Sequence, residues 1–262
     1  MKKITILSFT LLAGILGNAF ADEHKFFAGF NLNLQSNKYS DQNQQFTIDN
    51  KQVFVSSNNN GTLEQGIDAI TSTIARQRSQ IGLIFGGSVI GGYKFISNKL
   101  ALITEANIDF LANNNYKDSY FEIKNSINFG INQKIGYKIS DKYLLYIMGG
   151  VSLNRYTANS NTSITENGIK NIEGYAEATN FKALLPNKKS STLITSIGIG
   201  VENKISENAV IFTEFVYNIS KYQNVELDIA TFDIEGSKKT LKAKSKYRYN
   251  SFASKVGFRY YF

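Results

Sequence analysis

Cysteine and tryptophan are absent from the 262 residues, and proline and histidine occur once each. Without cysteine there is no disulfide framework, no thiol nucleophile and no iron–sulfur centre. A lone histidine, His24, cannot build a His-rich metal site and leaves a His-dependent triad without its usual base. We therefore expect no catalytic activity and no cofactor. Beyond the first residues, no run approaches the roughly 18 consecutive apolar residues of a membrane helix. What the chain has instead is 19 Phe, 15 Tyr and 20 Gly in a sequence that is 42% hydrophobic. That content is too aromatic and too evenly patterned for disorder, and it favours strands.

Residues 1–21 have the three-part design of a secretory signal peptide. Lys2 and Lys3 are followed by the apolar run Ile4 to Leu16, then by the small residues of Ala19-Phe20-Ala21 and the acidic pair Asp22-Glu23. Such a run is short for a bilayer span. The expected mature chain is 22–262, and it carries no cysteine at its start for a lipid anchor.

From residue 25 onward the hydrophobic period is two, which places alternate side chains on opposite faces of a strand. It recurs in eight segments: 25–35, 83–96, 100–111, 124–138, 143–156, 192–205, 209–219 and 251–262. In the fourth, Ile123, Ile127, Phe129, Ile131, Ile135 and Tyr137 share one parity, against Lys124, Ser126, Asn128 and Lys134 on the other. The non-apolar parity is rich in Gly, Ser and Asn with a few charges, which suits a filled polar interior. Three connections are tight (97–99, 140–142, 206–208), whereas 36–80, 112–121, 157–191 and 220–246 are long and polar. Alternating short turns and long loops fit an outer-membrane barrel better than a soluble sandwich. The fold expected is all-β: an eight-stranded antiparallel transmembrane barrel.

The leader, the eight segments, GGYKFISNKLA, GIGVENKISENAVIFTEFVY and the VGFRYYF ending resemble the opacity-type, porin-like outer-membrane proteins. Their superfamily includes many bacterial surface antigens. The resemblance implies a bacterial outer-membrane location after export. It also implies that the barrel-assembly machinery reads the terminal aromatics Phe258, Tyr260 and Phe262. Its function would be that of a structural or adhesin-like surface protein whose loops meet host or envelope ligands, with a small ion channel as the alternative.

Parity points Glu105, Glu202, Glu214, Lys134, Lys255 and Arg259 into the barrel. Glu105 is expected beside Lys134, and Glu214 beside Lys255 or Arg259, because an unpaired buried ion costs several kcal/mol. Basic neighbours should hold these carboxylates ionised, which argues against acid/base catalysis. Gly86-Gly87 and Gly91-Gly92 lack the spacing of a nucleotide loop and suit close packing in a barrel wall.

In the first long loop, Leu63, Ile67, Ile70 and Ile74 form a helical stripe, and Thr62 with Gln65 fits a capping box; a short helix is expected within 62–78. The outward parity of the last strand, extended upward, selects Lys242, Lys244, Lys246 and Arg248 as contacts for lipopolysaccharide phosphates. No nucleic-acid-binding module is visible, so the formal charge of +8 points to outer-membrane lipid as the anionic partner.

Overall fold

The computed structural model describes residues 23–49, 51–53, 78–112, 115–117, 121–160, 166–170, 172 and 174–262. The leader expected over 1–21 and the helix expected within 62–78 lie outside them. Twelve strands are described: β1 (Glu23–Ile48), β2 (Lys51–Val53), β3 (Arg78–Ser97), β4 (Leu100–Leu111), β5 (Asn115–Lys117), β6 (Phe121–Lys138), β7 (Tyr143–Ser160), β8 (Thr179–Ala183), β9 (Asn187–Lys204), β10 (Ala209–Ser220), β11 (Gln223–Ile234) and β12 (Ser237–Tyr261). One short helix, α1 (Glu166–Lys170), precedes β8.

Eight of the strands, β1-β3-β4-β6-β7-β9-β10-β12, are antiparallel neighbours, and β1 pairs with β12 to close the ring. Closure removes the open edges that a lone sheet would present. The seam runs from Phe27↔Tyr261 to Ile48↔Leu241, with one irregularity between Gln42 and Gln45. Aromatic contacts dress it on both faces: Phe27 with Tyr261 inside, at 5.5 Å, and Phe30 with Phe258 outside, at 6.1 Å.

Outward residues form an apolar belt over the lower part of the barrel. Leu32 is 69% exposed, Phe85 70% and Ile197 65%. Polar outward residues take over above it. A belt of this extent far exceeds the patch of a few hundred Å² that soluble proteins tolerate.

The strands outrun their sequence-expected ends. β1 continues to Ile48, β7 to Ser160, β9 begins at Asn187 and β12 at Ser237. The supposed loops 36–80, 112–121, 157–191 and 220–246 are therefore partly strand. Their polarity reads as loop because an outward face above a membrane meets water and has no need of apolar residues. The inward positions kept the period: Leu241, Ala243, Tyr247 and Tyr249 are buried. β11 and β12 form a hairpin whose two-residue turn, Glu235-Gly236, has positive φ at both positions (50° and 75°). This is the backbone twist that two-residue hairpins require.

Ile123 also lies on the face opposite to the one its parity predicts. The register slips between Asn125 and Ile127, so the chain above the bulge swaps faces. Ile123 and Asn125 are buried inside while Lys124 is exposed, the reverse of the single parity expected.

The interior has three tiers. The lowest holds charges among Phe27, Ile103, Leu144, Tyr146, Phe212 and Tyr261. The middle is mainly amide and hydroxyl around Asp109 and Lys255: Asn132 donates to Asn107 (3.1 Å), Ser196 to Asn218 (2.6 Å) and Asn218 to Ser251 (2.9 Å). The top is an apolar core of Tyr39, Tyr156, Tyr247, Leu227, Phe232 and Leu241, on which Ile169 of α1 also packs.

Candidate functional site

The lowest tier is built by alternation alone. Lys94 on β3, Glu105 on β4, Lys134 on β6, Glu202 on β9, Glu214 on β10 and Arg259 on β12 all fall on inward positions, and all are buried. Arg259, with no exposed surface, is the centre. Its Nη2 donates to Glu105 (2.7 Å) and Glu214 (3.1 Å), its Nε to Glu105 (3.1 Å), and its Nη1 to Glu202. One face of the guanidinium lies 3.8 Å from the Phe212 ring centroid, a desolvated cation–π contact.

Lys134 bridges Glu105 (2.8 Å) and Glu214 (2.6 Å), and Lys94 holds Glu202 at 2.6 Å. The Tyr146 hydroxyl donates to Glu214 at 2.7 Å, and that of Tyr261 to Glu202 at 3.3 Å. Three cations and three carboxylates share one level, so the layer is neutral. This matters because each ion left unpaired away from water would cost several kcal/mol.

Three glycines make room for this layer. A Cβ on Gly200 would sit 2.5 Å from the Tyr146 ring, and one on Gly257 would sit 2.4 Å from Phe212. Gly92 leaves the same space for Phe27.

The structure brings Glu105 to Lys134 and Glu214 to Arg259. Lys255 differs: although its backbone registers with Glu214, its Nζ lies one tier higher, 4.0 Å from Asp109. Sequence reasoning omitted Lys94, Asp109 and Tyr146. Their inward parity was available by the rule that found Glu105, but Lys94 meets Glu202, Tyr146 meets Glu214 and Asp109 meets Lys255 on strands that are not their neighbours.

Among the described residues little space remains inside. A polar cavity of about 20 Å³ lies among Asn107, Asp109, Asn128, Asn132 and Lys255, room for about one water. A mouth of about 90 Å³ opens at the short-turn end, lined by Lys25, Lys142, Lys204 and Glu207, with Glu202 and Tyr261 at its edge.

His24 lies within β1, exposed and outward, against Tyr93 (6.1 Å) and Phe95 (5.6 Å). Tyr260 and Phe262 are outward and in edge contact at 5.4 Å, Phe258 is outward and half-buried, and the Phe262 N–H donates to the Phe26 carbonyl at 2.9 Å.

Lys242, Lys244, Lys246 and Arg248 share the outer face of β12, but two of them are engaged within the protein. Glu226 on β11 takes Lys242 at 2.9 Å and Lys244 at 3.5 Å, and Asp228 lies 3.9 Å from Lys242. The hydrogen bond from Lys242 is the main cause that holds the Glu226 carboxyl below its usual range, and the same bond raises Lys242. Arg248 stacks over Tyr222 at 5.5 Å.

No protein-family model matches the chain, and no curated protein matches it. Among solved structures it is similar to Neisserial surface protein A at 11% identity, over 92% of this chain and 100% of that one, with a TM-score of 0.40. It is also similar to Ail, the attachment invasion locus protein of Yersinia pestis, at 8% identity over 89% and 98%, with a TM-score of 0.36. The outer membrane protease OmpT from Escherichia coli follows at 11% identity over 91% and 97%, also with a TM-score of 0.36. A surface protein, an attachment protein and a protease have different roles, and likeness at this level assigns none of them here.

Proposed function

We propose that the chain is an integral outer-membrane protein that anchors a folded, strand-built extension at the bacterial surface, as a structural or adhesin-like antigen. One observation carries this reading: among the described residues the lumen is filled by ion pairs, amides and an apolar core, while the outside carries an apolar belt. A filled barrel does not transport, but it does hold what is built on top of it. Lipid and lipopolysaccharide would surround the belt, and the extension would meet a host or envelope ligand.

Single cysteines test the placement cleanly, since the chain has none of its own. Leu185→Cys, at a position 88% exposed on the extension, should react with a membrane-impermeant maleimide on intact cells. Asp141→Cys, in a short turn with a fully exposed side chain, should react only after the envelope is breached. Equal labelling of both in intact cells would contradict the orientation. Attachment to host cells that is identical with and without the gene would contradict the adhesin-like role.

Assembly supplies another expectation. Phe262→Ala removes an outward aromatic at the closing seam and should lower outer-membrane accumulation severalfold under limiting expression. Unchanged surface abundance would mean that the terminal aromatics are not what the assembly machinery reads.

The channel reading rests on the charged tier, where six ion-paired groups line one level of the lumen. It requires Arg259 and Lys134 to swing out of contacts that now fill the cross-section.

A further inference from the structure

Above the belt, the first outward charge met on β1, β6, β7, β9 and β12 is basic in every case: Lys38, Lys124, Arg155, Lys189 and Arg248. These charges are densest over β7. Lys124 of β6 and Lys189 of β9 both register with Thr157, and Arg155 lies two residues lower on the same face. Neighbouring strands are about 4.8 Å apart, so the two lysines start roughly 10 Å apart and their flexible stems can converge on one anion. Glu122 holds Lys124 at 3.2 Å; Arg155 and Lys189 have no acidic partner among the described residues.

Directly beneath them the outer wall is hollow. The guanidinium carbon of Arg155 sits 5.4 Å from the Phe129 ring. Phe129, Leu153 and Leu193 form the next row down and head an apolar groove of about 610 Å³. Its floor is the register row Gly91, Ala106, Ile131 and Val151. A water-soluble anion would leave this groove empty, and a zwitterionic lipid would leave the net positive charge uncompensated. Both features are satisfied by a molecule with an anionic head and an acyl chain.

We propose that this face binds one phosphate-bearing, acylated lipid of the outer leaflet, with its phosphate on Lys124, Arg155 and Lys189 and a chain in the groove. The site is separate from the Lys242–Arg248 row, and it rests on reading the belt as lipid-facing.

The test uses the folded full chain in neutral detergent, with bound lipid counted by native mass spectrometry. The probes are dimyristoyl phosphatidylglycerol, dimyristoyl phosphatidylcholine and inorganic phosphate. The parent should prefer phosphatidylglycerol about tenfold, and Lys124→Gln/Arg155→Gln/Lys189→Gln should erase that preference. Gly91→Leu fills the floor without a backbone clash, since its Cβ would be 3.7 Å from the nearest atom. It should weaken both lipids while the heat-modifiable gel shift is unchanged.

A triple variant that keeps the preference would overturn the site. Displacement of phosphatidylglycerol by inorganic phosphate, with no effect of Gly91→Leu, would make it a free-anion site and overturn the lipid assignment. A parent that inserts into vesicles but shows no headgroup preference sinks this inference alone. A parent that stays soluble and monomeric without detergent sinks the lipid-facing reading with it.

Discussion

Arg259→Gln is expected to destabilise the barrel by about 3–5 kcal/mol, the usual cost of removing one partner from a buried ion network. The substitution leaves Glu105, Glu202 and Glu214 to share Lys94 and Lys134, so a neutral layer becomes anionic inside the barrel. It also removes the cation stacked on Phe212. The measurement is the urea midpoint for unfolding from lipid vesicles, read by the heat-modifiable band. A second substitution separates charge from packing. Arg259→Gln combined with Glu202→Gln restores neutrality and should recover part of the loss, so the two changes should not add. A loss below about 1 kcal/mol in the single variant would mean that water reaches the layer, which would favour the channel reading.

Phe232→Ala should cost a similar amount, about 3–5 kcal/mol for a buried aromatic, but in a different part of the molecule. Phe232 sits on β11, is 1% exposed and meets the Tyr175 ring edge-on at 5.8 Å. It belongs to the upper core, which shares no residue with the apolar cluster around the charges. Loss of this ring should open the extension while the barrel keeps its heat-modifiable shift. Hydrogen exchange should accelerate in 174–183 and 223–247 and remain slow in 100–110 and 252–261. Uniform acceleration across both sets would show that the extension is not a separately cored tier.

How much of this was legible in the sequence depends on which force set each position. In the belt, lipid outside and polar groups inside impose a strict period of two, so Phe252 to Phe262 and the inward Glu105 and Arg259 could be read directly. Above the belt that contrast fades. Ile123 and Ile127 look like members of one parity because both are apolar, yet one faces the upper core and the other faces outward across a bulge. The polar stretch 237–249 looks like loop, although its inward Leu241, Tyr247 and Tyr249 were already alternating. Partners were the least legible feature. Lys134 meets Glu214, 80 residues away, because barrel curvature brings β6 and β10 face to face, and no local spacing encodes that curvature.

Single-channel recording tests the sealed barrel most directly. The full chain is placed in a planar bilayer at neutral pH, at protein levels where the heat-modifiable shift demonstrates folded, inserted barrel. With Arg259 and Lys134 locked among three carboxylates and an apolar core above them, we predict no sustained conductance steps in the parent. Reproducible, long-lived steps whose ion selectivity changes on Glu105→Gln would contradict the sealed lumen and make the charged tier a conduction path.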